Sequence, residues 1–262
     1  MRLAFAFGML SAVGLVFRGH PLPTDATPHN WAWLAVSGLV GFTFGDLCLY
    51  RAYLVLGPRL SSLMMALVPP MTALIGWTAL GETLTPRDLL GMTLTVVGIG
   101  WAILDRGRQA GGPHGPRHRV TPAGVALGAG GALGQAVGLI LSKIGMAGYN
   151  AFAATQVRVL AGFAGYALLF FALRWWPNVR AGLRDRTALG FAALGALFGP
   201  TLAVSLSLIA IRETAAGVAA SIMALTPVLI IPLVVVLRRE KVGIGGVAGA
   251  VVAVTGVALL FL

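Results

Sequence analysis

Apolar residues run in long blocks along this chain, and polar residues fall in short clusters between them. The blocks lie at roughly 2–17, 31–53, 60–80, 87–104, 121–143, 151–174, 188–210, 214–237 and 243–262. A helix crosses the hydrocarbon core with about 20 apolar residues. The pattern therefore predicts an all-α polytopic membrane protein with nine transmembrane helices. Arg2 ahead of an apolar run imitates a signal peptide. It lacks a clear small-residue cleavage site, and eight more blocks follow, so the first block reads as a membrane helix. The longest polar stretch, DRGRQAGGPHGPRHRV at 105–120, has the Gly, Pro and Arg content of a solvated linker.

Two of the blocks carry nearly the same words. MALVPPMTALIGW spans Met65 to Trp77, and MALTPVLIIPLVV spans Met223 to Val235. Shifting the chain by 158 residues lays Pro69 on Pro227, Glu82 on Glu240, Gly91 on Gly249 and Gly98 on Gly256. Nine of the 45 ungapped positions from 60 to 104 are identical. At an offset of 156, Arg2 meets Arg158 and Pro21 meets Pro177. The chain thus divides into a first repeat, 1–104, the basic linker, 105–120, and a second repeat, 121–262. The second has five predicted helices. Five is odd, so consecutive copies face opposite ways, an inverted repeat that places a substrate site near the membrane midplane. Pro69, Pro70, Pro227 and Pro232 are candidate helix breaks. Freed carbonyls at that depth must line a cavity or be buried in protein, although prolines also bend helices simply for packing.

Composition agrees. Only 10% of residues are charged and 58% are hydrophobic, against about 25% charged in soluble domains. The net charge of +11 does not indicate nucleic acid, because the arginines sit in connectors rather than in one patch. A single cysteine, Cys48, excludes an internal disulfide or a Cys-based metal site. The histidines lie in connectors, and neither a metal nor a cofactor is expected.

The segments LYRAYLVLGPRLSSLMMALVPPMTALIGWTALGETLTPRDLLGMTLTVVGIGWAIL and AVSLSLIAIRETAAGVAASIMALTPVLIIPLVVVLRREKVGIGGVAGAVVAVTGVALL resemble the two copies of the hallmark segment of EamA-type transporters, in the drug/metabolite transporter superfamily. The shared pattern is M-A-L-x-P, Glu thirteen residues after the Pro, and glycines nine and sixteen beyond. The resemblance implies ten helices in two five-helix inverted repeats, a central cavity, and export or exchange of small metabolites. Here the first repeat shows four helices, 4+5 rather than 5+5. The partner of 121–143 would lie upstream of Met1, so a fragment or a missed start is expected.

Connectors on one side of the expected topology hold fourteen Lys and Arg residues and those on the other hold four, with Arg158 inside a span. The positive-inside rule puts the first side in the cytoplasm and the C-terminus outside. The resemblance implies the reverse.

Among candidate site residues Asp46 leads. It lies within a span, in GFTFGDLCLYRAY, where a carboxylate is costly and by default functional. Thr43 and Tyr50 stand at i−3 and i+4, completing a helical stripe. A carboxyl deprived of water holds its proton more tightly, which suits proton coupling; the bland alternative is a structural hydrogen bond or a pair with Arg2. Gln135 and Ser142 form a second polar stripe, read either as substrate contact or as interhelical glue. Arg158, with Gln156 beside it, is suited to an anionic substrate or, equally, to snorkelling or a structural pair. Thr201, Ser205, Ser221 and Thr226 are further cavity candidates. Glu82 and Glu240 read as helix-end residues.

The leading expectation is a secondary transporter of small metabolites such as amino acids, working by alternating access as an exporter, with Asp46 as the proton-coupling group. Its partners are a small-molecule substrate, the lipid bilayer and protons. It is expected as a monomer or homodimer in a bacterial cell membrane. A lipid-carrier flippase and a non-transporting membrane subunit are the alternatives. No HExxH, GxSxG or paired acidic metal motif points to an enzyme, and no GxxxxGK[ST] points to ATP hydrolysis.

Overall fold

The computed structural model describes residues 1–83, 85–109, 120–213 and 244–259. Every regular element among them is helical. The helices are α1 (Arg2–Arg18), α2 (Pro28–Leu56), α3 (Leu60–Leu80), α4 (Pro86–Gln109), α5 (Pro122–Met146), α6 (Ala151–Ala172), α7 (Trp176–Arg184), α8 (Arg186–Arg212) and α9 (Ile244–Leu259). Eight of the nine expected spans correspond to helices; the ninth, 214–237, lies outside the described residues. α2, α3, α5, α6 and α8 are long and apolar enough to cross a bilayer. The chain is a polytopic membrane protein, and its abundant exposed Leu, Val and Phe side chains are those a bilayer, not water, would cover.

Two boundaries differ from expectation. α4 runs to Gln109, five residues into the segment read as linker. α7 is an additional short helix in the connector between α6 and α8. Within α3, Met65–Leu67 is a 3-10 turn, and Pro69 and Pro70 fall in the first turn of the α-helical stretch Val68–Leu80. There a missing N–H costs little. The break thus sits at Met-Ala-Leu, just ahead of the prolines. Pro227 and Pro232 lie outside the described residues.

The chain forms two compact units. One comprises 1–43 and 138–213, the other 44–137 and 214–262. In the first, Leu3, Ala6 and Leu10 of α1 pack with Phe42, Val159 and Ala196. In the second, Leu56, Leu60, Leu63 and Met64 form a core with Ile99 and Ala102 of α4 and Ala250, Ala253 and Val257 of α9.

The α4–α9 pair is the tightest seam. A Cβ on Gly98 would stand 2.6 Å from the Gly249 carbonyl, one on Gly249 2.7 Å from the Gly98 carbonyl, and one on Gly256 2.6 Å from the Gly91 carbonyl. Low-numbered residues of α4 thus meet high-numbered residues of α9, so the two run antiparallel. Gly249 and Gly256 are the residues that a shift of 158 lays on Gly91 and Gly98. Each glycine therefore meets the counterpart of the other, the self-complementary contact of a two-fold axis. Thr95 Oγ1 sits at the centre, donating to Gly91 O at 2.8 Å and to Ala253 O at 3.4 Å.

Candidate functional site

In the second unit a glycine-lined face of α5 brings two candidates together. A Cβ on Gly134 would meet Gly45 Cα at 2.7 Å, and one on Gly131 would meet the Leu49 backbone N at 3.2 Å. Without side chains there, α5 touches the backbone of α2. The approach places Gln135 Nε2 at 3.2 Å from Asp46 Oδ1, as donor to the carboxylate. Asp46 is 5% exposed. An amide suits both states of a carboxyl: its NH₂ donates to the anion, and its C=O accepts from the protonated form. The amide can therefore partner the carboxyl in either protonation state. Tyr50 is exposed and its ring pairs with Tyr53, centroids 6.2 Å apart.

The first unit holds a separate polar cluster. Gln156, at 1% exposure, donates through Nε2 to Ser11 Oγ at 2.9 Å and to Pro21 O at 2.7 Å. It ties α1 and the following connector to α6. Arg158, at 3% exposure, is buried rather than snorkelled, with its guanidinium carbon 5.1 Å from the centre of the Phe42 ring, a cation–π contact. Thr43 Oγ1 donates to Gly162 O at 3.3 Å, and Ser205 Oγ donates to Thr155 Oγ1 at 3.1 Å, which in turn donates to Ala151 O at 2.8 Å. Thr201 is buried beside Met9 Sδ at 3.9 Å. Ser142 bonds Ser37 Oγ at 2.7 Å and Gly138 O at 2.6 Å. Ser221 and Thr226 lie outside the described residues, as does Glu240.

Phe42 and Thr43 belong to a π-helical stretch, Leu39–Gly45, inside α2. A second π-helical stretch, Leu197–Val204, lies inside α8 and contains Pro200. Their starts differ by 197 − 39 = 158 residues, the offset of the proline motifs. Leu39, Gly41 and Thr43 fall on Leu197, Gly199 and Thr201. Such turns are rare and occur often at functional sites. The L-x-G-x-T match was present in the sequence but lies outside the window 60–104. Thr43 lies within the first π turn, whereas Asp46 and Tyr50 lie in the α-helical stretch that follows it, Asp46–Leu56.

One polar group had no sequence signal. In the first unit Arg18 donates to the Asp25 carboxylate, and the Tyr149 hydroxyl donates to Asp25 Oδ1 at 2.8 Å. Nearby, Asn30 Nδ2 donates to Gly145 O at 2.7 Å, and His29 Nε2 donates to Ile144 O at 3.3 Å. These bonds clamp the α1–α2 connector to the α5–α6 connector. The Arg18 hydrogen bond holds the Asp25 carboxyl below its ordinary range, and burial pushes the Tyr149 phenol up to about 12. Among the described residues no three His, Cys, Asp or Glu side chains group as metal ligands.

The model of the EamA-like transporter family matches residues 1–104 and 122–262. No curated relative matches the chain. A crystal structure of a protein 19% identical superposes with a TM-score of 0.63, covering 98% of this chain and 84% of that one. At that identity the likeness concerns the fold alone.

Proposed function

The chain belongs to the EamA-like transporter family, and on that premise we propose that it is a secondary transporter, not an enzyme. It would export small metabolites such as amino acids across a bacterial cytoplasmic membrane by alternating access, coupled to protons. The observation that carries the coupling is the buried Asp46 carboxylate beside the Gln135 amide. A group with a partner in either protonation state is suited to carry a proton through the cycle. The antiparallel glycine seam of α4 and α9 supports the inverted repeat that alternating access uses. The paired π-helical stretches offer each half a bending point in the middle of a span.

Proton flux in proteoliposomes loaded with a pH dye tests this reading, with a panel of amino acids and other small metabolites. Substrate-dependent flux in the native chain, lost in Asp46→Asn while folding is kept, is expected. Flux that survives the substitution makes Asp46 structural. Substrate movement without proton flux removes the coupling and leaves exchange or lipid flipping.

A further inference from the structure

A basic, aromatic surface lies apart from the buried polar groups. The span α6 ends at Ala172 and the span α8 begins at Arg186, so residues 173–185 are held at the membrane–water boundary by the spans on either side. The nine-residue helix α7, Trp176–Arg184, occupies most of this connector. Leu173, Trp176 and Leu183 are 46%, 43% and 54% exposed. Phe170 anchors the start of α7, its ring centre 6.1 Å from that of Trp175 and 6.5 Å from that of Trp176. Between 174 and 186 the chain carries Arg174, Arg180, Arg184 and Arg186 against Asp185, a net charge of 4 − 1 = +3. Arg174, Arg184 and Arg186 are exposed. The one acid is occupied in capping, its Oδ1 accepting the Ala188 N–H at 3.0 Å.

We propose that this connector is a binding surface for the phosphate headgroups of anionic phospholipids. Trp176 and Leu183 would enter the acyl boundary, while Arg174, Arg184 and Arg186 meet the phosphates, as in helices that lie in the interface plane. The charge balance and the depth set by the two spans select an anionic leaflet over a neutral one. Each surface arginine adds about fivefold to such binding, so three add about a hundredfold at low salt, falling as salt screens them.

The full chain in detergent, offered equal amounts of phosphatidylglycerol and phosphatidylcholine, is read by native mass spectrometry. The native chain is expected to retain phosphatidylglycerol in preference. Arg174→Gln/Arg184→Gln/Arg186→Gln is expected to cut that preference at least tenfold, whereas Arg51→Gln/Arg87→Gln/Arg212→Gln keeps it. A preference that survives the first triple, or falls equally in both, overturns the proposal. A second measurement keeps every arginine. A nitroxide on Leu183→Cys in a Cys48→Ala background, in vesicles of the two lipids, is expected to collide with membrane-dissolved oxygen more than with an aqueous nickel chelate. The reverse order places α7 in water and also overturns it.

Discussion

At the scale of single residues, polar groups in the apolar spans are settled by what approaches them. Gln156 and Arg158 stand two apart on α6, both buried. Gln156 spends its amide donor on Ser11 and the Pro21 carbonyl, so its work is to hold the connector after α1. Arg158 lies over Phe42. Asp25 and Tyr149, outside the spans, bear a pH prediction. The Asp25 carboxyl is held below its ordinary 3.8, so the clamp's contribution is whole above that value and is lost as pH falls through the depressed one. The Tyr149 phenol is raised from 10.0 to about 12, so its contribution is whole below 10.0 and is lost as pH rises toward 12. The clamp is therefore flat between 3.8 and 10.0. Because Asp25 is half exposed, its energetic worth is small, and the phenolate is the better reporter. The absorbance difference between the native chain and Tyr149→Phe is expected to titrate near 12; a midpoint at 10 contradicts the contact.

At the scale of the element, two long helices share a departure from α geometry at matching places. Pro200 inside the second π-helical stretch is buried and brings no N–H. Pro200→Ala restores the donor and removes the ring, a change worth up to about 3 kcal/mol of helix propensity. The expected outcome is a higher unfolding temperature in detergent, with initial transport in proteoliposomes slowed at least tenfold as the span stiffens. A variant both more stable and equally fast shows that the cycle does not use this turn. The first stretch, Leu39–Gly45, carries no proline, so composition does not explain it. Its packing is close: a Cβ on Gly162 would meet Phe42 Cβ at 2.8 Å, and one on Gly165 would meet Leu39 Cδ2 at 2.7 Å.

At the scale of the molecule, the repeat has a physical consequence in the α4–α9 seam. A methyl on Gly98 faces backbone, which cannot step aside. Gly98→Ala is expected to cost about 1–3 kcal/mol by overpacking, read as a lower midpoint of thermal unfolding. Gly100→Ala on the same helix is the control, because a Cβ there meets nothing within 4 Å. It is expected to be neutral or slightly stabilising, since alanine suits a helix interior better than glycine. Equal effects at the two positions contradict the seam.

The sequence by itself determined the helical, membrane-spanning class, most span positions and the offset of 158. Each rests on solvation and periodicity, which act locally. Apolar blocks long enough to cross a bilayer leave the backbone one way to satisfy its hydrogen bonds. Asp46 and Arg158 were legible as candidates because a charge in such a block is exceptional. Their company was not. That Gln135 meets Asp46 while Ser142 turns to Ser37 follows from where glycines let helices touch. Thr43 lies in a π turn, Leu39–Gly45, which no periodicity in the sequence signalled. The Arg18–Asp25–Tyr149 clamp joins residues up to 131 apart. No local pattern encodes such a meeting; only the packing of helices around it does.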